Sequence, residues 1–353
     1  MTLLDTLIEI VDVPSVTGEE DELCTWIQRR YEHRYTTQRV GNALIVGRRP
    51  AEGAEFVALY GHIDTVPVQE DPSARVEGDR VVGLGASDMK AGLAVMIELL
   101  DAGVREPDAG LVCVFYDQEE GPADKNGLEA ILDEAGWLVG AAISIVLEPT
   151  DLNLELGCNG VLNADIIFRG STAHSARPWL GENAITKAGE WLASLHGREP
   201  ETIRINGLEY REVFAVTKAS GGLANNIIPG EFVVNLNHRF PPIYSVEEAE
   251  ARLREVASVA DEIVVRDRAP AGTVDLSNPA VQRLERLIGR ERKAKQGWTD
   301  VARLTSRGAV AVNYGPGEVD QAHQVEESVP IANLTIAYEV LVRFLAERLT
   351  VDR

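Results

Sequence analysis

Four short apolar runs in this chain each lead, within a few residues, to a histidine or a carboxylate, and that repetition restricts the fold more than any other feature. Residues 56–60 close on Gly61 and are followed by His62 and Asp64. Residues 111–116 lead to Glu119 and Glu120, residues 143–147 to Glu148, and the glycine-proline-closed run 309–317 to His323. Apolar runs of this length bounded by turn signals read as buried strands. In open α/β sheets the ligand crevice lies beyond the carboxyl ends of the strands, so these side chains are predicted to converge at one sheet edge.

The residue types at that edge define a chemistry. Two residues apart, His62 and Asp64 project to the same side, where a carboxylate can hold the second ring nitrogen of a metal-binding imidazole. A tight turn in GLGASDMKAG places Asp88 at or beside the start of a helix predicted over 89–100. The Gly83-x-Gly85 pair in that turn lacks the third glycine and the downstream acid of a dinucleotide loop. Two imidazoles and several carboxylates, without a thiolate, suit a pair of zinc ions, with cobalt or manganese as substitutes. Asp88 is the natural bridging ligand, His62 with Glu148 completing one metal and Glu120 with His323 the other. Glu119 is left as general base toward a bridging water, and Asp64 orients His62. Two metals roughly 3.5 to 4 Å apart acidify bound water and polarise a carbonyl, which is the chemistry of amide hydrolysis. His174, in RGSTAHSARP, lies on a loop of small residues where a donor could stabilise the oxyanion of a tetrahedral intermediate. His33 and His196, at the ends of helical patterns, read as surface residues, and His238, beside Arg239 in a strand, as structural.

Composition narrows the partners. A net charge of -22 repels phosphate backbones and anionic lipid, so no nucleic acid and no membrane surface is expected as a partner. Cys24, Cys113 and Cys158 are scattered without a C-x-x-C spacing, which fits a reducing cytoplasm and no disulfide framework. No basic-then-apolar leader opens the sequence, and no apolar run approaches the roughly 18 residues that span a bilayer. Helical periodicity marks 3–11, 23–31 and 331–349. The character changes between about 160 and 271, with strand signals at 164–168, 213–218 and 232–237 and helix signals at 184–195 and 246–256. The expected architecture is α/β: a catalytic domain (residues 1–160 and 272–353) with a central mixed sheet flanked by helices, plus an inserted α+β domain at 161–271.

Seven motifs taken in order, GHIDTVP (His62, Asp64), SDMKAG (Asp88), QEEG (Glu119, Glu120), LEPT (Glu148), HSARP (His174), NNIIP (Asn225, Asn226) and AHQ (His323), carry a family resemblance. Over essentially its whole length the chain resembles the dinuclear zinc aminoacylase and carboxypeptidase family, which includes acetylornithine deacetylase, carboxypeptidase G and succinyl-diaminopimelate desuccinylase. The resemblance implies the ligand roles above, Glu119 as acid/base, and an inserted lid domain that pairs two subunits into a homodimer. It further implies that His174 acts across the dimer in the neighbouring active site, with Asn225 beside it and Asn226 as a further substrate contact. GWTDVARLTSRGAVAVNYGPG and ARPWLGENAI are most similar to desuccinylases of the actinobacterial type. That similarity implies removal of succinate from N-succinyl-LL-2,6-diaminopimelate in lysine and diaminopimelate biosynthesis. Deacylation of acetylornithine or another N-acyl amino acid is the alternative. Arg239 and Arg303 would then bind substrate carboxylates as planar forks, with Arg177 and Thr299 as further candidates. Pairing with a surface acid is the competing reading of each arginine. Leu84 departs from the family, which commonly has a polar residue there, as does the short tail GEVDQAHQ before His323. Both bear on the substrate pocket and not on the ligands.

Overall fold

The computed structural model describes residues 2–68, 72–104 and 110–346. The chain divides into two compact units, one of Met1–Gly157, Thr273–Lys293 and Thr299–Arg353, the other of Cys158–Gly272 and Ala294–Trp298. The short return of Ala294–Trp298 to the second unit interrupts a stretch that the sequence assigned wholly to the first. It is held there by Asn159, whose N–H donates to the Lys295 carbonyl at 3.2 Å, and by Gln296, which bonds the backbone of Glu209 and Arg211.

In the first unit the sheet runs, in spatial order, through Thr37–Val40, Ala43–Val46, Leu111–Tyr116, Val57–His62, Ile143–Val146, Ala311–Asn313 and Glu155–Leu156. The middle strands, from Leu111–Tyr116 to Ala311–Asn313, are parallel, and those outside them pair antiparallel. Near-continuous apolar sequence is what parallel strands covered on both faces require. Ala58, Tyr60, Val112 and Val114 pack on one face against Leu128, Ile131 and Leu304 of the helices Gly127–Glu134 and Val301–Ser306. The other face meets the helix Ala91–Asp101, which also packs against Leu3–Asp12 and Ile331–Ala346. Chain order places Val57–His62 first, its neighbour on one side next and its neighbour on the other side last. The direction of travel therefore reverses around this strand, and such a switch point opens a crevice at the carboxyl edge, beyond His62.

Glycines let the helix Ala91–Asp101 come close enough to shape that edge. A Cβ on Gly61 would fall 2.6 Å from Leu93 Cδ2, and one on Gly92 would fall 2.4 Å from the Leu147 carbonyl oxygen, next to Glu148.

In the first unit three expected elements have other bounds. The helix predicted from Met89 starts at Ala91, because Asp88 (φ -116°, ψ 96°) and Met89 (φ -129°, ψ 35°) are not helical. The strand expected over 309–317 is confined to Ala311–Asn313; beyond it Gly315 and Gly317 press their backbone against Leu147, Glu148 and Ser87. The last helix is Ile331–Ala346, and its expected end at Leu349 lies outside the described residues.

The second unit is a five-stranded antiparallel sheet in the order Glu201–Ile205, Leu208–Gly221, Glu231–Phe240, Gly160–Arg169, Glu262–Ala269. Phe168, Phe232 and Leu236 pack with Trp191 and Leu253 from its helices. The helix expected over 184–195 is two pieces, Ala184–Lys187 and Gly189–His196. The outer strands Glu201–Ile205 and Glu262–Ala269 escaped sequence reading because they carry charged, half-exposed side chains, as sheet edges do. Among the described residues no helix is long and apolar enough to cross a membrane.

Gly92→Ala should lower the stability by about 1–3 kcal/mol in urea unfolding, because the backbone carbonyl it meets cannot swing aside. Gly136→Ala, where an added Cβ meets nothing within 4 Å, should be neutral or stabilising by up to about 1 kcal/mol.

Candidate metal centre

His62 ends its strand, and its Nε2 lies 3.2 Å from Oδ1 of Asp88. Oδ2 of the same carboxylate lies 3.8 Å from Nε2 of His323, which is 2.8 Å from Oε1 of Glu120. Asp88 thus stands between the two imidazoles with one oxygen toward each. His62, Asp88 and Glu120 each turn a ligand-capable atom to within 4.8 Å of the others, an oxygen and nitrogen donor set that can hold a metal ion. Glu148, two residues past Val146, is buried, and its charge acts on both His62 and Glu119. His323 sits at φ +63°, in the left-handed region that few non-glycine residues adopt.

Asp64 organises the near side of this group. Nδ1 of His62 lies 3.1 Å from the Asp64 carbonyl oxygen and 3.4 Å from its carboxylate. The carboxylate accepts the backbone N–H groups of Glu119 and Glu120 and the Thr17 hydroxyl, each at 3.0 Å. Burial works to raise the Asp64 carboxyl, yet the imidazole of His62 and those two N–H groups hold it below its ordinary range. Burial likewise opposes an imidazolium at His62, but Asp64 and Asp88 keep it well above its usual value. The hydrogen bond to Glu120 lifts His323 to about 9. Burial pushes the Glu119 carboxyl well up, with His62 opposing and Glu148, Asp300 and Glu120 adding to it. A raised carboxyl beside a ligand set can hold and release a proton.

Sequence reasoning missed residues that support this edge. Glu327 is buried and accepts the backbone N–H groups of Gly85, Ser87 and Asp88; in sequence it is half of an ordinary acidic pair. Asp300 is buried against Asn126 Nδ2 at 3.2 Å and the hydroxyl of Tyr116. It also meets Nε of Arg303 at 2.7 Å, while Nη1 of that arginine reaches Glu129 at 2.8 Å and Nη2 the Ala123 carbonyl at 2.7 Å. All three guanidinium nitrogens of Arg303 are therefore engaged inside the unit. Thr299 is buried beside it.

In the second unit the sheet brings HSARP and NNIIP together: His174 pairs with Ile227 in an isolated bridge, and the Ser175 N–H donates to the Asn226 carbonyl at 2.9 Å. His174, Arg177, Asn225 and Asn226 are all exposed, and Nδ1 of His174 accepts the Ala176 N–H at 3.1 Å. Arg239 is partly buried, which lowers its affinity for the proton, and its Nε donates to Asn237 at 3.2 Å. His238 is structural, with Nε2 2.8 Å from Glu212 and its ring stacked 4.0 Å from that of Phe214. His33 and His196 are exposed, and the three cysteines are buried and outside any disulfide.

A model of peptidase family M20/M25/M40 matches residues 58–347. The curated "Putative succinyl-diaminopimelate desuccinylase DapE" of Mycobacterium tuberculosis is 38% identical over 340 residues, covering 95% of this chain and 96% of its own. The succinyl-diaminopimelate desuccinylase of Corynebacterium glutamicum is 33% identical over 349 residues, covering 96% and 94%. Among solved structures, aminopeptidase PepT of Bacillus cereus has a TM-score of 0.78 at 21% identity, covering 98% of this chain and 97% of its own. A dinuclear metal binding peptidase of the M20 family from Bacillus subtilis has a TM-score of 0.69 at 17% identity, covering 98% and 96%. These two likenesses concern the fold. The family match over most of the sequence and the near full-length relatives above 30% identity establish that the chain belongs to peptidase family M20/M25/M40.

Proposed function

We propose that this protein is a dinuclear zinc amide hydrolase that removes succinate from N-succinyl-LL-2,6-diaminopimelate in lysine and diaminopimelate synthesis, as a homodimer in the cytoplasm. The observation that carries the chemistry is the Asp88 carboxylate, with one oxygen toward His62 and the other toward His323. The substrate rests on the two desuccinylase-named relatives, 38% and 33% identical over nearly the whole chain.

His62, Glu148 and Asp88 would hold one ion, and Glu120, His323 and Asp88 the other. Imidazole and carboxylate donors without sulfur fit zinc and admit cobalt or manganese. When bound, the ion pair supplies Lewis acidity that lowers the pKa of water and polarises the amide carbonyl. Asp64 keeps Nδ1 of His62 occupied, which leaves Nε2 as the ligand nitrogen. Glu119 takes the proton of the attacking water and passes it to the leaving amine nitrogen.

His174 donates to the tetrahedral oxyanion in the neighbouring subunit, with Asn225 and Asn226 beside it. An open strand edge in the second unit supports the dimer reading. Glu201–Ile205 pairs only with residues 208–212, so residues 213–221 of the long strand have a neighbour on one side alone among the described residues. Such an open edge is a template for a second chain. Arg239 and Arg177 are the forks available for substrate carboxylates, Thr299 is a further candidate contact in the first unit, and Arg303 braces Asp300.

With zinc present, kcat/KM for N-succinyl-LL-2,6-diaminopimelate should exceed that for N-acetylornithine by about 100-fold or more, since a site built for the second carboxylate is left unpaired by the acetyl group; the reverse order would make the protein a deacetylase. Glu119→Gln should lower kcat by about 100- to 10,000-fold while metal analysis finds the wild-type content. His174→Ala should be nearly inactive, and so should Glu119→Gln, yet subunit mixing of the two should restore turnover. Only a histidine acting across the dimer leaves one intact site in the mixed species, so a mixture that stays inactive places His174 in its own subunit's site.

A further inference from the structure

The loop that carries His323 hangs at both ends from the turn that carries Asp88. At its start, the Ser87 hydroxyl donates to the Glu318 carbonyl at 3.0 Å and accepts the Glu318 N–H at 2.7 Å. At its end, Oε1 of Glu327 accepts the N–H groups of Ser87 and Asp88, both at 2.6 Å, and Oε2 accepts that of Gly85 at 2.9 Å. The Glu327 carbonyl also accepts the Gly83 N–H at 2.9 Å, and the chain then enters the strand Ser328–Pro330, paired with Arg80–Val82.

The Asp88 turn needs such a partner. Ala86 and Lys90 donate their N–H groups to the carbonyls of Gly83 and Gly85, whereas those of Gly85, Ser87 and Asp88 meet the Glu327 carboxylate instead of a backbone carbonyl, and an orphaned buried N–H is costly. An ionised carboxylate is the side chain that can accept all three at once. Glu327 is 2% exposed, so water does not substitute for it.

We infer that Glu327 is a positioning residue that fixes the bridging carboxylate of Asp88 and the imidazole of His323 relative to each other. The inference rests on the two-metal reading above and adds to it an asymmetry between the ions. His62 and Glu148 are placed by strand ends, and Glu120 by its backbone bond to Asp64. The ion held by Glu120, His323 and Asp88 therefore owes two of its ligands to Glu327, whereas the ion held by His62, Glu148 and Asp88 owes it one.

Glu327→Gln keeps the shape but has one oxygen, so its amide N–H₂ confronts at least one of the backbone N–H groups. Titration of metal-stripped protein with cobalt, read by visible absorption against a competing chelator, tests the consequence independently of turnover. Wild type should take two equivalents. In Glu327→Gln the weaker equivalent should be loosened by about 10- to 100-fold, with its absorption recovered at high cobalt, and the tighter one, which shares only Asp88, should be loosened distinctly less. Glu326→Gln, whose carboxylate lies on the surface 3.1 Å from Arg75, should leave both equivalents as in wild type. Wild-type affinity for both equivalents in Glu327→Gln overturns the inference. So does a parallel loss of both, since Glu327 would then support the unit as a whole. A wild type that takes a single equivalent removes the two-metal reading and this inference with it.

Discussion

The carboxylate of Asp64 is the joint on which the candidate centre depends. A buried carboxylate costs several kcal/mol unless hydrogen bonds and a counter-charge replace its water, at about the scale found for single buried ions. Here the replacements are the N–H groups of Glu119 and Glu120, the Thr17 hydroxyl and the His62 ring. Because the N–H donors belong to the turn after the neighbouring strand, satisfying Asp64 also sets where that turn lies. Glu119 and Glu120 are held by their backbone, and their side chains remain available to face the ligands.

The sheet explains why distant acids can join that group. Parallel strands deliver their carboxyl ends to one edge, and the reversal of chain direction around Val57–His62 keeps the space beyond it clear. Close packing then sets the remaining distances. Gly92 brings the helix after Asp88 against the Leu147 carbonyl, and Gly315 brings the last strand's exit against Leu147 and Glu148. Bulk at either glycine would act on the acid next to it, although neither is itself a ligand candidate.

What the sequence disclosed follows from where the information is local. The strands at 43–46 and 111–116 were legible because continuous burial on both faces demands continuous apolar residues. The start of the helix after Asp88 was not, since the turn before it is held by Glu327, roughly 240 positions away. The charged edge strands of the second unit hide their pairing behind exposed side chains. Arg303 shows another limit: its sequence context suits a carboxylate-binding fork, and only the fold reveals that Asp300 and Glu129 already meet it. His62, Asp88, Glu120 and His323 were legible as a group because each follows a strand or tight turn, and short-range grammar marks both.

The two imidazoles differ in what surrounds them. The side chain of His62 is 1% exposed and that of His323 is 54% exposed. A buried imidazole flanked by acids meets a cation in a medium of low dielectric, where attraction is strong and the ligand is already immobile. An exposed one on a loop must be ordered against solvent and screened by it. The fold thus builds one half of the candidate centre into the sheet edge and suspends the other from a loop, so under the two-ion proposal the affinity of the second half follows from how firmly that loop is tied down.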